Sequence, residues 1–251
     1  MIDTNSYWQG RADKYGHTGW SDHSTYYYDQ NLRIKAIKSL VDELRFAPKI
    51  ALDYGCGTGE FTEVLSERCF GVLGVDIAKV VIKKAGALNS NPNVKFSLHD
   101  EDVFNTKYGL ILCVTVLQHV VDDTQLLELV TKFRKSMTPC SQLVLLESFS
   151  SDDEEEGSYI KLRRYDDFLK IFEGLGFKLK SVSNFYHPVL FPTKSFVKYK
   201  SNFIVRVLNK LSLIQFPGAR FSLKKIALFF SKRDCGVIFE ESITKILVFE
   251  V

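Results

Sequence analysis

Nowhere in the 251 residues does an apolar run reach the roughly 18 residues that a membrane-spanning helix needs. The N-terminal stretch MIDTNSYWQGRADKYG has neither a basic start nor an apolar stretch, so no signal peptide is expected. Cysteine is scarce and scattered. Cys56, Cys69, Cys113, Cys140 and Cys235 form no CxxC pair, and none lies near a histidine at zinc-ligand spacing. Reduced thiols, a cytoplasmic location and no metal are the expectation. No internal repeat is visible. With 45% hydrophobic and 25% charged residues, the chain reads as globular rather than disordered or fibrous.

One segment lacks acid altogether. Residues 194–233 hold ten lysines and arginines and no aspartate or glutamate, although the whole chain is only +3. The remainder is therefore net acidic, most densely in DDEEE at 152–156. The basic segment has four readings: a solvated face, attraction to an anionic substrate such as a phosphorylated or nucleotide-linked sugar, an anionic membrane surface entered by Phe203, Val205, Leu208 and Leu211, or RNA. Nucleic acid ranks last, because no RNA-binding module is recognisable.

Short β-rich runs alternate with helical patterns through the middle of the chain, as in βαβ units on a parallel sheet. Strands are expected at 49–54, 72–77, 94–98, 109–116 and 142–147, with helices at 59–69, 78–88 and 122–137. A helix at 165–175, closed by Gly176, and strands at 177–185 and 243–251 complete the pattern. Two helices are expected within the basic segment, near 202–213 and 222–233. The first 45 residues read as helical or irregular and rich in aromatics.

The stretch ALDYGCGTGE, residues 51–60, carries the clearest chemistry. Glycines 55, 57 and 59 after an apolar run describe a strand turning into a helix around a ligand, where backbone approaches closely. The spacing is G-x-G-x-G, not the G-x-G-x-x-G of dinucleotide enzymes, and the sixth position is Glu60. A carboxylate at Asp53 would repel a pyrophosphate but favour a cofactor bearing an ammonium and a sulfonium. Asp76, ending GVLGVD, is placed to accept both hydroxyls of a ribose.

ALDYGCGTGEF, GVLGVDIA, VKFSLHDEDVF and YGLILCVTVLQHV in this order resemble the successive motifs of the class I S-adenosylmethionine-dependent methyltransferases, over about residues 48–148. The resemblance implies an α/β, Rossmann-like, mostly parallel seven-stranded sheet in the order 3-2-1-4-5-7-6, with the last strand antiparallel. It implies one domain over 1–251: an N-terminal lid at 1–47, a cofactor-binding core at 48–187, a basic helical insertion at 188–242 and a final strand at 243–251. It also implies that Asp53 and the backbone of Gly55, Cys56 and Gly57 meet the methionine part of S-adenosylmethionine. Asp76 would hold the ribose, and Ile77 would pack on the adenine. Asp100 and Glu101 would read the adenine amine, with Cys113 or Val114 flanking the cofactor.

For the acceptor, His119 in LQHV is the first candidate base and His17 the second. Gln118, Trp20, Tyr28 and Arg33 are candidate substrate contacts, and Arg11 is a further anion-binding candidate. Val114-Thr115-Val116-Leu117 carries no Pro-Pro motif of the base-amine methylating enzymes. Pro139-Cys140 precedes the fifth strand, away from the position of a cytosine-methylating nucleophile. The expected activity is methylation, by preference on oxygen, of a small polar acceptor, with or without an anionic group, such as a glycan or cell-surface precursor. The alternatives are an RNA methyltransferase, a non-catalytic cofactor binder and a dinucleotide oxidoreductase. If Asp76 holds the ribose, Asp76→Ala weakens S-adenosylmethionine binding at least about tenfold by calorimetry. Unchanged affinity in the variant would contradict that assignment.

Overall fold

The computed structural model describes residues 3–44, 49–151, 155–157, 159–237 and 239–251, with only the backbone of 155 and 156. Two helices come first, α1 (Thr4–Tyr15) and α2 (His23–Asp42). Then follow β1 (Ile50–Tyr54), α3 (Glu60–Ser66), β2 (Gly71–Asp76), α4 (Lys79–Leu88), β3 (Val94–Leu98), β4 (Tyr108–Val114), α5 (Asp123–Ser136) and β5 (Met137–Ser148). A short ribbon, β6 (Glu155–Glu156) and β7 (Lys161–Leu162), precedes α6 (Tyr165–Gly174) and β8 (Lys178–Phe185). Three further helices, α7 (Lys194–Ser201), α8 (Phe203–Leu213) and α9 (Ala219–Ser231), lead to β9 (Thr244–Glu250). Of the acidic run, 152–154 lie outside the described residues.

Seven strands form one sheet in the order β3-β2-β1-β4-β5-β9-β8. Because β6 and β7 stand apart as their own ribbon, this is the expected 3-2-1-4-5-7-6, and β9 runs antiparallel to both neighbours. Strand β4 shows why the sheet is central. Leu110, Leu112 and Val114 face one apolar layer and Ile111 and Cys113 the other, all buried, as a strand covered on both faces requires. The first layer is closed by α2, α3 and the α7–α9 helices through Leu32, Leu65, Tyr199 and Leu223. The second is closed by α5 and α6 through Leu126, Phe133, Phe168 and Phe172.

Helix ends follow their capping residues. Asp122 Oδ1 accepts from Gln125 N at 2.9 Å and starts α5, while Gly176 follows α6 at φ +80°. Helix α7 was not expected. Thr193 starts it by accepting from Phe196 N, and Asn202 ends it and caps α8 at once, so a short helix hides in the mixed sequence.

Two buried carboxylates hold the ends of the central strands. Asp53, 1% exposed, accepts from Thr62 Oγ1 at 2.6 Å and so fastens β1 to α3. Glu147, also 1% exposed, accepts from Val116 N at 2.9 Å, Leu117 N at 2.8 Å and Gln118 N at 3.3 Å. Those amides belong to the turn after β4, where Thr115 takes a left-handed φ of +52°. Burial raises both acids, Asp53 to about 7 despite the Thr62 bond and Glu147 to about 7 despite its three amides.

Each carboxyl therefore binds its proton more tightly folded than unfolded. The stability it contributes is complete below the ordinary carboxylate range and is lost as pH rises through about 7. Between about pH 5 and 7 the unfolding free energy should fall by up to roughly 1.4 kcal/mol per pH unit for each group. Urea denaturation across that window checks this, and stability rising with pH there would contradict it. The second apolar layer gives another test. Phe172 is fully buried, with its ring 4.8 Å from those of both Phe168 and Phe249, so Phe172→Ala should cost about 3–5 kcal/mol by denaturant titration. A cost below about 1 kcal/mol would show that the layer repacks without it.

Candidate active site

At the carboxyl ends of β1, β2 and β4 lies a cavity of about 1130 Å³. Open parallel sheets bind ligands at this edge. Its floor is the glycine loop. Gly55, Gly57 and Gly59 have φ of +77°, +54° and +88°, conformations that side chains with a Cβ rarely adopt. At Gly55 a Cβ would also lie 2.3 Å from Val116 Cγ2, so only glycine lets this loop meet the turn after β4.

Asp76, at the end of β2, accepts from Gly57 N at 3.0 Å through Oδ2 and from Ala78 N at 2.9 Å through Oδ1. Each oxygen keeps a lone pair for a further donor. Ile77, Leu98 and His99 continue this wall, and Cys56, Gly57 and Val114 also line the cavity. Glu60 adds a second carboxylate, held by Thr58 Oγ1 at 2.7 Å. Side-chain-free amides beside two acids suit a cationic adenosyl amino acid. They disfavour a pyrophosphate, so the residues present fit S-adenosylmethionine.

The roof comes from the two N-terminal helices. Helix α2 turns Tyr26, Asp29, Gln30 and Arg33 into the cavity, the i, i+3, i+4, i+7 face of one helix, and α1 adds Tyr7, Trp8 and Arg11. Arg33 Nη2 pairs with Asp29 Oδ2 at 2.9 Å and Nη1 donates to Thr115 Oγ1 at 3.1 Å. Trp20 Nε1 donates to the same Asp29 oxygen at 2.7 Å. Arg33 is thus matched by a carboxylate, whereas Arg11 donates to Gly19 O and has no carboxylate partner among the described residues.

His119 and Gln118 form the far wall. His119 Nδ1 lies 2.8 Å from the carbonyl oxygen of Tyr159, which can only accept, so Nδ1 carries the hydrogen. That leaves Nε2 as an acceptor, 3.4 Å from Gln118 Nε2. The Trp8 ring meets the imidazole edge-on at 4.6 Å, and burial pushes its pKa down to about 4, so the ring is neutral at pH 7. Tyr159 in turn stacks on Tyr7 at 4.7 Å and joins the roof to the ribbon segment. That segment is anchored where Arg163, 3% exposed, and Lys161 converge on Asp123, each at 2.8 Å.

Five expected residues do not line the cavity among the described residues. Asp53 sits behind the loop on Thr62, and Glu60 is the acid that faces in. His17 is 5% exposed and stacked 3.5 Å from Tyr26, and burial takes its pKa to about 3, so it is packing under the roof. Tyr28 lies two residues, about 200°, around α2 from Tyr26. It therefore faces the core, with its hydroxyl on Asp234. Asp100 caps a short 3₁₀ turn through Val103 N, and Glu101 pairs with Lys132 at the surface. Their neighbour His99 takes the cavity position because its amide extends the β2–β3 ladder to Asp76 O. Glu147, Asp29, Tyr7 and Tyr159 were not anticipated. Only the helical spacing of Tyr26, Asp29 and Arg33 signalled any of them in the sequence. Among the described residues no group of three His, Cys, Asp or Glu side chains is placed to hold a metal ion.

A family model described as a methyltransferase domain matches residues 28–182. A ubiquinone biosynthesis O-methyltransferase of Saccharophagus degradans is 31% identical over 111 residues, 41% of this chain and 43% of that protein. A trans-aconitate 2-methyltransferase of Deinococcus radiodurans is 33% identical over 93 residues, 36% of this chain and 35% of that one. The chain thus spans less than half the length of these curated relatives. In fold it is similar to the solved DhpI-SAM-HEP complex, with a TM-score of 0.55 at 18% identity over 71% of this chain and 89% of the other. The family match covers more than half of the chain, and it decides against a dinucleotide oxidoreductase. With this glycine loop and this sheet order, the chain belongs to the class I S-adenosylmethionine-dependent methyltransferase family, whose cofactor is S-adenosylmethionine.

Proposed function

We propose that the protein transfers the methyl group of S-adenosylmethionine to an oxygen of a small acceptor that carries an anionic group. The observation that carries this reading is the shared cavity. The glycine loop and Asp76 form one end and the neutral His119 Nε2 the other, with Arg11, unpaired with any carboxylate among the described residues, in the roof. At about 1130 Å³ it exceeds the range of about 300–1,000 Å³ usual for one small ligand, which leaves room for cofactor and acceptor together.

Bound here, S-adenosylmethionine supplies a methyl group on a cationic sulfur. The chain's own work is alignment and exclusion of water. Asp76 and the loop amides fix one end, and Tyr7, Trp8 and Tyr26 cover the site. His119 accepts a hydrogen bond through Nε2 and so orients an acceptor hydroxyl. With a pKa of about 4 it is a weak base, which favours an acceptor hydroxyl that is itself acidic, a phenol or enol. A carboxylate or phosphate on the acceptor, including a sugar-linked one, would be met by Arg11. The names of the curated relatives, an O-methyltransferase and a methyltransferase of a tricarboxylate, support the same class.

His119→Ala should lower turnover about 10²-fold and leave the S-adenosylmethionine dissociation constant within about twofold. Equal losses in both would make His119 a packing residue. Turnover should also show no inflection near the ordinary histidine value of 6.5 that depends on His119, because that ring is already neutral there. The assay is release of S-adenosylhomocysteine over a panel of carboxylic, phenolic and sugar-phosphate acceptors. Tight cofactor binding without turnover of any of them would favour a non-catalytic binder.

A further inference from the structure

The structure leaves one large surface without a partner. Thirteen of the twenty exposed large apolar side chains among the described residues fall within 189–237, about a fifth of the chain. Phe203 is 77% exposed, Ile214 74%, Phe221 63% and Phe229 61%. Monomeric soluble proteins scatter such residues singly rather than gathering them on one unit.

Their placement is helical and amphipathic. Helices α7, α8 and α9 pack on one another, and α8 and α9 lie along α2, with Val205, Leu223 and Ala227 turned inward. On α8 the outward stripe is Phe203, Val207, Lys210 and Ile214, spaced at three and four residues. On α9 it is Phe221, Lys225, Leu228 and Lys232, with Lys225 Nζ 4.3 Å from the centre of the Phe221 ring. Lysine and aromatic side chains therefore share one outer face instead of occupying opposite faces.

The charge of this face is not balanced from within. Eight of its ten cations are exposed, and Lys200, which pairs with Asp22, is alone among the ten in having a carboxylate partner among the described residues. An apolar protein interface would bury such cations at a cost. RNA would stack on aromatics but gains nothing from exposed Ile204, Val207, Ile214 and Leu228. An anionic bilayer surface accepts both kinds of residue at once, because apolar tips enter the acyl boundary while lysine and arginine stems reach up to the headgroups. No described helix is long and apolar enough to cross a membrane, so the contact is interfacial.

We propose that the outer face of α7–α9 is a docking surface for anionic lipid bilayers, holding the protein reversibly at the membrane by inserted Phe203, Phe221 and Phe229 ringed by lysine and arginine. Val189 and Leu190, 63% and 57% exposed, follow His187, which lines the cavity.

The test is co-sedimentation of the full chain with vesicles of phosphatidylcholine mixed with phosphatidylglycerol, against phosphatidylcholine alone. Binding to the mixed vesicles should be at least about tenfold tighter and should weaken with salt. Phe203→Ser/Phe221→Ser/Phe229→Ser should lower it at least about tenfold while leaving the melting temperature and S-adenosylmethionine affinity unchanged, since all three side chains project into solvent. Lys224→Glu/Lys225→Glu/Lys232→Glu should remove the preference for phosphatidylglycerol. No binding to mixed vesicles, or a triple serine variant that binds as well as the parent, would overturn the proposal. So would a concentration-dependent dimer abolished by the serine variant, or tighter binding to a single-stranded RNA oligonucleotide than to the vesicles.

Discussion

Everything at the site depends on how closely two turns approach each other. The loop after β1 touches the turn after β4 at Gly55 and Val116, where there is no space for even a methyl group. The loop reaches that point because glycines permit its left-handed backbone. The opposing turn stays there because the buried Glu147 carboxylate accepts three of its amides in succession. A carboxylate at the end of one strand thus fixes the backbone that carries Gln118 and His119, residues that line the cavity opposite the glycine loop. Burial opposes the charge on Glu147 and the amides favour it, so fold and site share one electrostatic compromise.

The electrostatics of the cavity divide by function. Asp76 and Glu60 make the glycine-loop end acidic, which suits a cationic cofactor. At the far end the imidazole is neutral, and the roof offers Arg11, which has no carboxylate partner among the described residues. The roof is also where the chain diverges most from a bare sheet-and-helix core. Helix α1 presents an aromatic pair to His119 and the ribbon segment, while the first half of α2 presents Tyr26, Asp29, Gln30 and Arg33. Basic helices outside α2 complete the layer on that side and carry the exposed face.

What was legible in the sequence was whatever depends on short-range pattern. The glycine spacing, Asp76 at a strand end and the unbroken apolar run through Leu110 to Val114 pointed to the loop, an acid at the cavity and a central strand. The order of the strands followed from the resemblance, not from periodicity. Asp100 and Glu101 fall outside the cavity lining among the described residues, whereas His99, whose amide continues the β2–β3 ladder, lies in it. Tyr28 and Tyr26 stand in one aromatic run, and only the turn of α2 separates a core residue from a cavity residue. Glu147 could not be distinguished from an ordinary strand-end acid, since its three donors lie about thirty residues away in the chain. The same holds for His119, whose tautomer is set by the Tyr159 carbonyl forty residues on.

The central claim is that a single cavity holds the cofactor against the glycine loop and aims its methyl group at His119. A crystal structure with S-adenosylhomocysteine tests it most directly. The account predicts both ribose hydroxyls on the Asp76 carboxylate and the sulfur facing open space bounded by Gln118, His119 and Arg11. A sulfur pointing away from His119, or an adenosine bound without contact to Asp76, would contradict it.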